Sequence, residues 1–151
     1  MTIWALILMG AGSARGQNDG MARFNVPFDF LVGENIFPPG EYMITHHLPA
    51  LYRGVLRIHQ HKGNLGMIIQ PPMPLAGSRD KIADKGMLVF NGYGNRTFLS
   101  EVWLPGESVG RKLAPSRLEQ ELAYVIEQAG NRGGPERVVL PAGELEDSGM
   151  E

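Results

Sequence analysis

The chain has 151 residues, no cysteine and a net charge of −2. The lack of cysteine excludes disulfides, thiolate catalysis and Cys-ligated zinc or iron–sulfur clusters, and the scattered Lys and Arg residues predict no nucleic-acid partner. Apolar residues make up 43% of the chain, and its 20 glycines and 11 prolines favour many short strands joined by turns.

A short apolar run, I-W-A-L-I-L-M-G-A-G, occupies residues 3–12. It is far shorter than the ~20 residues that a membrane-spanning helix needs, so we predict no transmembrane segment. The small residues that follow it are typical of a signal-peptide cleavage zone. We therefore predict a signal peptide over residues 1–16, a single β domain over residues 17–151, and a secreted, periplasmic or cell-surface location. The segment before the run has no Lys or Arg, and a buried N-terminal strand or helix is the alternative.

Residues 23–45 predict the first hairpin of the fold. Apolar residues at every second position from Phe24 to Val32 predict a half-buried strand over residues 23–32. Gly33 ends this strand, and a Pro-Pro-Gly turn leads into a second strand at residues 41–45. Since proline cannot donate a hydrogen bond to a strand ladder, the first strand is expected to lie at an edge or to contain a bulge. The interaction edge that we predict there consists of Asn25, Pro27 and Asp29.

Further strands are predicted along the middle of the chain. The run Met67-Ile68-Ile69 favours a strand buried on both faces. Residues 71–86 show no periodicity and predict the longest loop, and Gly92-Tyr93-Gly94-Asn95-Arg96 is typical of a hairpin turn. The predicted strands cover residues 51–60, 65–70, 87–91, 97–104 and 110–113.

The hydrophobic period then changes to that of a helix. Ser116-Arg117-Leu118-Glu119 matches a capping box and Gly130 suits the residue after a helix, so we predict a helix over residues 116–129. A flexible connector and tail are predicted over residues 131–151, interrupted by one more strand near residues 137–140. The predicted fold is an antiparallel β-sandwich or squashed barrel of about seven or eight strands with one C-terminal helix. The helix is expected to pack on the sheets through an apolar stripe of Leu118, Leu122, Val125, Ile126 and Ala129.

Several short motifs between residues 26 and 123 resemble a group of small secreted bacterial proteins of the acidobacterial type. They are V-P-F-D-F-L-V-G, P-x-G-E-Y, L-V-F-x-x-Y-G, F-L-S-E-V-W and G-R-K-L-x-x-S-R-x-E-x-E-L-A, over roughly two thirds of the chain. The resemblance implies a signal peptide, a compact β fold and no known activity, and it supplies no catalytic residue. The chain departs from the group in its charge-poor start and in the tail after Gly130.

The four histidines are the first candidates for chemistry. His59 and His61 lie two residues apart on a predicted strand and are therefore expected to project from one face. His46 and His47 end the preceding strand, and one or the other is expected near His59 and His61 if the two strands pair. Imidazoles that converge in this way bind zinc or copper, but no carboxylate lies in the same segment to complete the site. Surface histidines without a metal are therefore the favoured interpretation.

No other pattern predicts catalysis. The carboxylates Asp29, Glu34 and Glu41 near the first hairpin are expected to face outward, and no serine lies in a G-x-S-x-G context. We therefore predict no catalytic residue, no cofactor and no enzyme activity.

Three functions remain as hypotheses. The first is a non-enzymatic secreted module with a structural, cell-surface or self-assembling role, in which a sheet edge pairs with another copy. The second is a β-sandwich or barrel that holds a small apolar ligand or lipid among its many aromatic residues. The third is metal binding through the strand histidines.

Overall fold

The computed structural model of the protein describes residues 20–47, 54–70, 73–76, 86–107, 109–130 and 133–143. In these residues the chain forms two β-sheets with a shared apolar core and one α-helix, so the predicted mainly β sandwich is confirmed. The predicted signal peptide and the last eight residues of the predicted tail lie outside the described residues.

One sheet has four antiparallel strands in the order β1-β4-β5-β6. The β4 strand pairs with β1 on one side and with β5 on the other, so β1 and β6 are the two edge strands. The bounds are β1 Met21–Val26, β4 Gly40–His46, β5 Leu56–Gln60 and β6 Gly66–Ile69.

The other sheet has seven strands, five of them in the order β11-β8-β9-β10-β7. The short β2 strand pairs in parallel with β9 and forms a hairpin with β3. The strands are more numerous than predicted, because the first predicted strand is divided into β1 and β2 and because β3 and β7 were not predicted. The bounds are β2 Phe30–Val32, β3 Asn35–Phe37, β7 Met73–Ala76, β8 Met87–Tyr93, β9 Arg96–Trp103, β10 Val109–Lys112 and β11 Glu136–Pro141.

The first predicted strand is divided between the two sheets. The break falls at residues 27–29, where Pro27 has no N–H to give to a ladder. The alternation of apolar residues nevertheless continues across the break, because Phe24 in one sheet and Phe30 in the other point into the same core. The prediction of one continuous strand over residues 23–32 was therefore wrong, although the inward-facing positions were right.

Aromatic rings fill the space between the sheets. Phe30 lies at the centre, with its ring centroid 5.0 Å from Tyr42, 5.4 Å from Phe37 and 5.6 Å from Phe90. All four of these side chains are buried, and Phe28 packs edge-on against Phe90 at 5.1 Å. Edge-to-face pairs of this kind contribute about 0.5–1.5 kcal/mol each beyond their burial.

The helix α1, Arg117–Gln128, packs on the outer face of the seven-stranded sheet. Ser116 is its N-cap and accepts a hydrogen bond from the Glu119 N–H at 3.2 Å, as the predicted capping box requires. Gly130 adopts a φ of +82° just beyond the helix, as is usual for a glycine that terminates a helix. The residues that face the sheet are Leu118, Leu122, Ala123 and Ile126.

Two predictions about apolar residues were wrong. Val125 and Ala129 were placed on the buried stripe of the helix but both are exposed, Val125 by 60%, because the sheet meets the helix on the side of Ala123 instead. The β6 run was expected to be buried on both faces, but Ile68 is 52% exposed and Ile69 is buried. The strand lies at the edge of a sheet, where only one face meets the core.

The predicted loop at residues 71–86 contains a strand, β7, which pairs with β10 at the edge of the seven-stranded sheet. The sequence there has no alternation that would predict a strand. Among the described residues, no helix is long and apolar enough to cross a membrane.

The two sheets are joined along one side of the sandwich. After β11, the Ala142 N–H donates to the Gly86 carbonyl at 3.0 Å, and the Gly143 N–H donates to the Arg23 carbonyl at 2.9 Å. The chain thereby passes from the edge of one sheet to the β1 edge of the other. This side of the sandwich is partly closed by backbone hydrogen bonds.

Candidate functional site

The outer face of the four-stranded sheet carries the side chains that point away from the core. On β5 the core residues Leu56 and Ile58 alternate with Arg57 and His59. The register places Met43 of β4 and Gly66 of β6 on either side of His59. This outer face has no second layer packed on it among the described elements.

The structure separates the four histidines. His59 lies on the outer face, and the His61 N–H continues the β5 ladder by donating to the Glu41 carbonyl at 2.8 Å, which places His61 on the same face. His46 lies on the inner face, because it follows the buried Ile44 by two residues. The expectation was therefore wrong for His46. His47 follows β4 on the outer face, because its N–H donates to the Val55 carbonyl at 2.9 Å, but it lies four residues from Met43, the partner of His59. In the described ranges no group of three His, Cys, Asp or Glu side chains is arranged to hold a metal ion.

His46 instead forms part of a polar cluster at one end of the sandwich. Its Nε2 lies 2.5 Å from Oε1 of Glu107, which lies in the connection between β9 and β10 of the opposite sheet. Arg111 of β10 points its guanidinium toward the other oxygen of Glu107 at 3.9 Å. Because all three side chains are at least four-fifths buried, the cluster connects the two sheets electrostatically. Glu107 gave no signal in the sequence, since its partner is 61 residues away.

A second polar cluster lies under the helix. Glu119 is only 6% exposed, and its carboxylate accepts hydrogen bonds from the Tyr93 hydroxyl at 3.2 Å and from the Asn91 side-chain amide at 3.3 Å. The same Asn91 amide lies 3.4 Å from the Ser100 hydroxyl. Burial, the negative charge of Glu119 and the hydrogen bond to Glu119 together raise the pKa of Tyr93 to about 12, and burial is the largest of these causes. This cluster fastens the helix to the sheet through polar groups that satisfy one another.

The electrostatics of the outer face differ from those of both clusters. Burial lowers the pKa of His59, and the charges of Arg57 and His61 lower it further. The Nδ1 atom of His59 is buried without a hydrogen-bond partner. On the neighbouring strands, Glu41 forms an ion pair with Arg23 at 3.2 Å. No carboxylate of the described residues therefore forms an ion pair or a hydrogen bond with His59.

The β6 edge borders this face. The Gln60 N–H donates to the Leu65 carbonyl at 2.8 Å, so Gln60 and Leu65 form a hydrogen-bonded pair. Pairs of this kind alternate along an antiparallel ladder, and the backbone groups of Gly66 and Ile68 therefore point away from β5 toward the free edge. Leu65 is 44% and Ile68 is 52% exposed. The strand has neither a charge nor a proline over its four residues.

The predicted interaction edge lies on the opposite side of this sheet. Asn25 belongs to the β1 edge strand and pairs with Glu41, whereas Pro27 and Asp29 lie in the crossing between the two sheets, and all three are exposed. One backbone position of this edge is occupied, because Arg23 accepts the hydrogen bond from Gly143.

The other predicted carboxylates are not brought into a catalytic arrangement by their described contacts. Glu34 is exposed in the β2–β3 turn, and Glu41 is held by Arg23. Asp29 acts at a distance on Tyr42: burial raises the pKa of the Tyr42 hydroxyl, and the negative charge of Asp29 adds to the increase. The Tyr42 hydroxyl donates to the Pro38 carbonyl at 2.5 Å.

Comparison with protein-family models, with curated proteins and with solved structures finds no significant match to the chain.

Proposed function

We propose that the protein is an exported, non-catalytic β-sandwich module that associates with a second copy of itself through the free edge of β6. The observation that carries this proposal is the composition of that edge. Soluble proteins usually protect an edge strand with a charge, a proline, a bulge or a covering segment. The described part of β6 shows an exposed isoleucine and free backbone groups at Gly66 and Ile68 instead.

The backbone geometry defines how two β6 strands would pair. An antiparallel pair related by a two-fold axis uses the same surface on both copies. Since Gly66 and Ile68 carry the free backbone groups, the axis passes through Met67, and Gly66 of each copy bonds with Ile68 of the other. The Ile68 side chain then covers the space that Gly66 leaves without a side chain on the same face. A contact of four residues per strand is small, so we expect a weak, concentration-dependent dimer.

The interior of the sandwich supports this choice over the binding of an apolar ligand. A ligand chamber requires free volume between the sheets. Around Phe30 that space is occupied by ring contacts of 5.0–5.6 Å, and the largest core side chains are fully buried.

The test is the association state of the mature protein, measured by sedimentation velocity over a wide concentration series. We expect the parent protein to shift from monomer toward dimer as its concentration rises. Ile68→Lys should remain monomeric, because the substitution places a charge on the surface through which the two copies pair. Two matched variants serve as controls. Val125→Lys introduces the same charge at a position of similar exposure on the helix, and Asn25→Lys introduces it at the other edge of the same sheet.

Both control variants are expected to associate like the parent. A parent protein that stays monomeric throughout the series, or an equal loss of association in all three variants, would overturn the proposal. Thermal unfolding of each variant shows that a loss of association is not a loss of folding.

The export part of the proposal depends on the apolar run at residues 3–12 and on the resemblance to small secreted proteins. Its test is the mass of the mature chain after expression in a bacterial host. Removal of about the first 16 residues, with recovery outside the cytoplasm, is expected. An intact chain that stays in the cytoplasm contradicts it.

A further inference from the structure

A row of basic side chains runs along β5 on the outer face of the four-stranded sheet. Arg57, His59 and His61 occupy every second position, so neighbouring members are about 7 Å apart and the row is about 13 Å long. Arg57 and His61 are exposed and His59 is half-buried. The register of both flanking strands keeps the three side chains on one face.

The surroundings leave this row without a matching negative charge. The β4 strand contributes Met43 beside His59 and Thr45 beside Arg57. The β6 strand contributes Gly66 and Ile68. The one carboxylate on the described part of this face is Glu41, beside His61, and it is already in an ion pair with Arg23 of β1.

The imidazole of His59 has hydrogen-bonding capacity that the described residues do not use. Neither of its ring nitrogens bonds to a described residue, and its Nδ1 is buried. Arg57 and His61 disfavour its protonation, as does its partial burial. An anion placed over the row would offset the repulsion among these cations and would accept a hydrogen bond from Nε2 of His59, since Nδ1 is buried.

We propose that the row Arg57, His59 and His61 binds an extended polyanionic chain lying along β5, and that binding strengthens as the two histidines become protonated. The linear arrangement favours a chain over a single compact anion, because one small anion cannot reach three cations spread over about 13 Å. A metal cation is disfavoured by the fixed positive charge of Arg57 beside the histidines. Arg57 supplies attraction at every pH, whereas His59 and His61 supply it only in their protonated forms.

The experiment measures binding of fluorescent dextran sulfate, with uncharged dextran as the reference, at about pH 5.5 and about pH 7.5. We expect tighter binding at the lower pH, weakening with added salt. Arg57→Gln should weaken binding about fivefold at both pH values, the typical worth of one surface cation on an anionic partner. The double variant His59→Gln/His61→Gln should leave binding at the higher pH unchanged and abolish the gain at the lower pH.

Two control variants distinguish binding by the row from a general effect of the net charge of the protein. Arg117→Gln removes an equally positive side chain from the helix, and Arg96→Gln removes one from the β8–β9 hairpin of the other sheet. Neither should change binding. Equal losses in Arg57→Gln and Arg117→Gln, a pH gain that survives in the double histidine variant, or equal binding of charged and uncharged dextran would overturn the proposal.

Ile68→Lys distinguishes this proposal from association through β6. The substitution is expected to abolish the dimer but to keep or strengthen binding of dextran sulfate, since it adds a cation beside Arg57. Loss of both properties in this variant would show that the anion binds only to the dimer and would contradict a site complete in one chain.

Discussion

The two sheets differ on the sides that face away from the core. On the seven-stranded sheet, α1 covers Leu31 and Phe98 and seals a carboxylate, a phenol and an amide that satisfy one another. On the four-stranded sheet, the described chain places no layer over His59, whose nitrogens remain without partners. The polar groups buried under α1 are matched within the fold, whereas the exposed cations of the uncovered face are available to a partner. Substitutions on the covered side should therefore lower stability, and those on the uncovered side should change binding.

The largest stability effect is expected at Tyr93. Tyr93→Phe removes one of the two donors to the buried Glu119 carboxylate, and we expect a loss of about 1–3 kcal/mol in the free energy of unfolding. Tyr124→Phe is the matched control, because this tyrosine is 63% exposed on the same helix side of the molecule. On the uncovered side, His59→Gln should stay within about 0.5 kcal/mol of the parent at neutral pH. Urea denaturation of the three variants measures all three values, and equal losses in Tyr93→Phe and His59→Gln would contradict the comparison.

A smaller effect is expected at alkaline pH. The pKa of Tyr93 is raised from 10.0 to about 12 in the folded protein. Its contribution to stability is therefore complete below pH 10.0, and it decreases as the pH rises through the folded-state value, since the unfolded chain ionises first. The free energy of unfolding should fall between these two pH values, and the fall should be less steep in Tyr93→Phe than in Tyr124→Phe. Urea titrations across this pH range test the prediction, with absorbance of the tyrosinate form as a second readout. Identical slopes of the free energy of unfolding against pH in the two variants would show that Tyr93 ionises as it does in the unfolded chain.

Local patterns in the sequence were sufficient to predict much of the fold. The helix followed from Ser116, Glu119 and Gly130, because capping is a contact between near neighbours in the chain. The hairpin that joins β8 and β9 followed from its glycines and asparagine. The division at Pro27 was missed because alternation reports which face is buried, and both halves of that stretch face one core. The β7 strand was missed because its pairing with β10 crosses more than thirty residues.

The candidate site depended more on long-range contacts. His59 and His61 were correctly placed on one face, since a period of two fixes this within a strand. The cationic character of that face was not predicted, because it depends on Glu41 being held by Arg23 across the β1–β4 register. Glu119 was assigned to the capping box, yet its carboxylate turns to Tyr93, 26 residues earlier in the chain. A buried carboxylate of this kind has no signal in the local sequence, because both of its donors come from β8.

Disulfide cross-linking is the most direct test of association through β6. An introduced cysteine has no competing partner within the chain, because the chain contains no cysteine of its own. If the two-fold axis passes through Met67, the two copies of this residue face each other as a non-hydrogen-bonded pair, with Cα atoms about 4.5 Å apart, which suits a disulfide. The measurement is the rate of disulfide-linked dimer formation under mild oxidation in Met67→Cys, compared with Asn25→Cys at the other edge of the same sheet. We predict rapid, nearly complete cross-linking of Met67→Cys and slow cross-linking of Asn25→Cys. Equally slow cross-linking in both variants, or faster cross-linking of Asn25→Cys, would contradict association through β6.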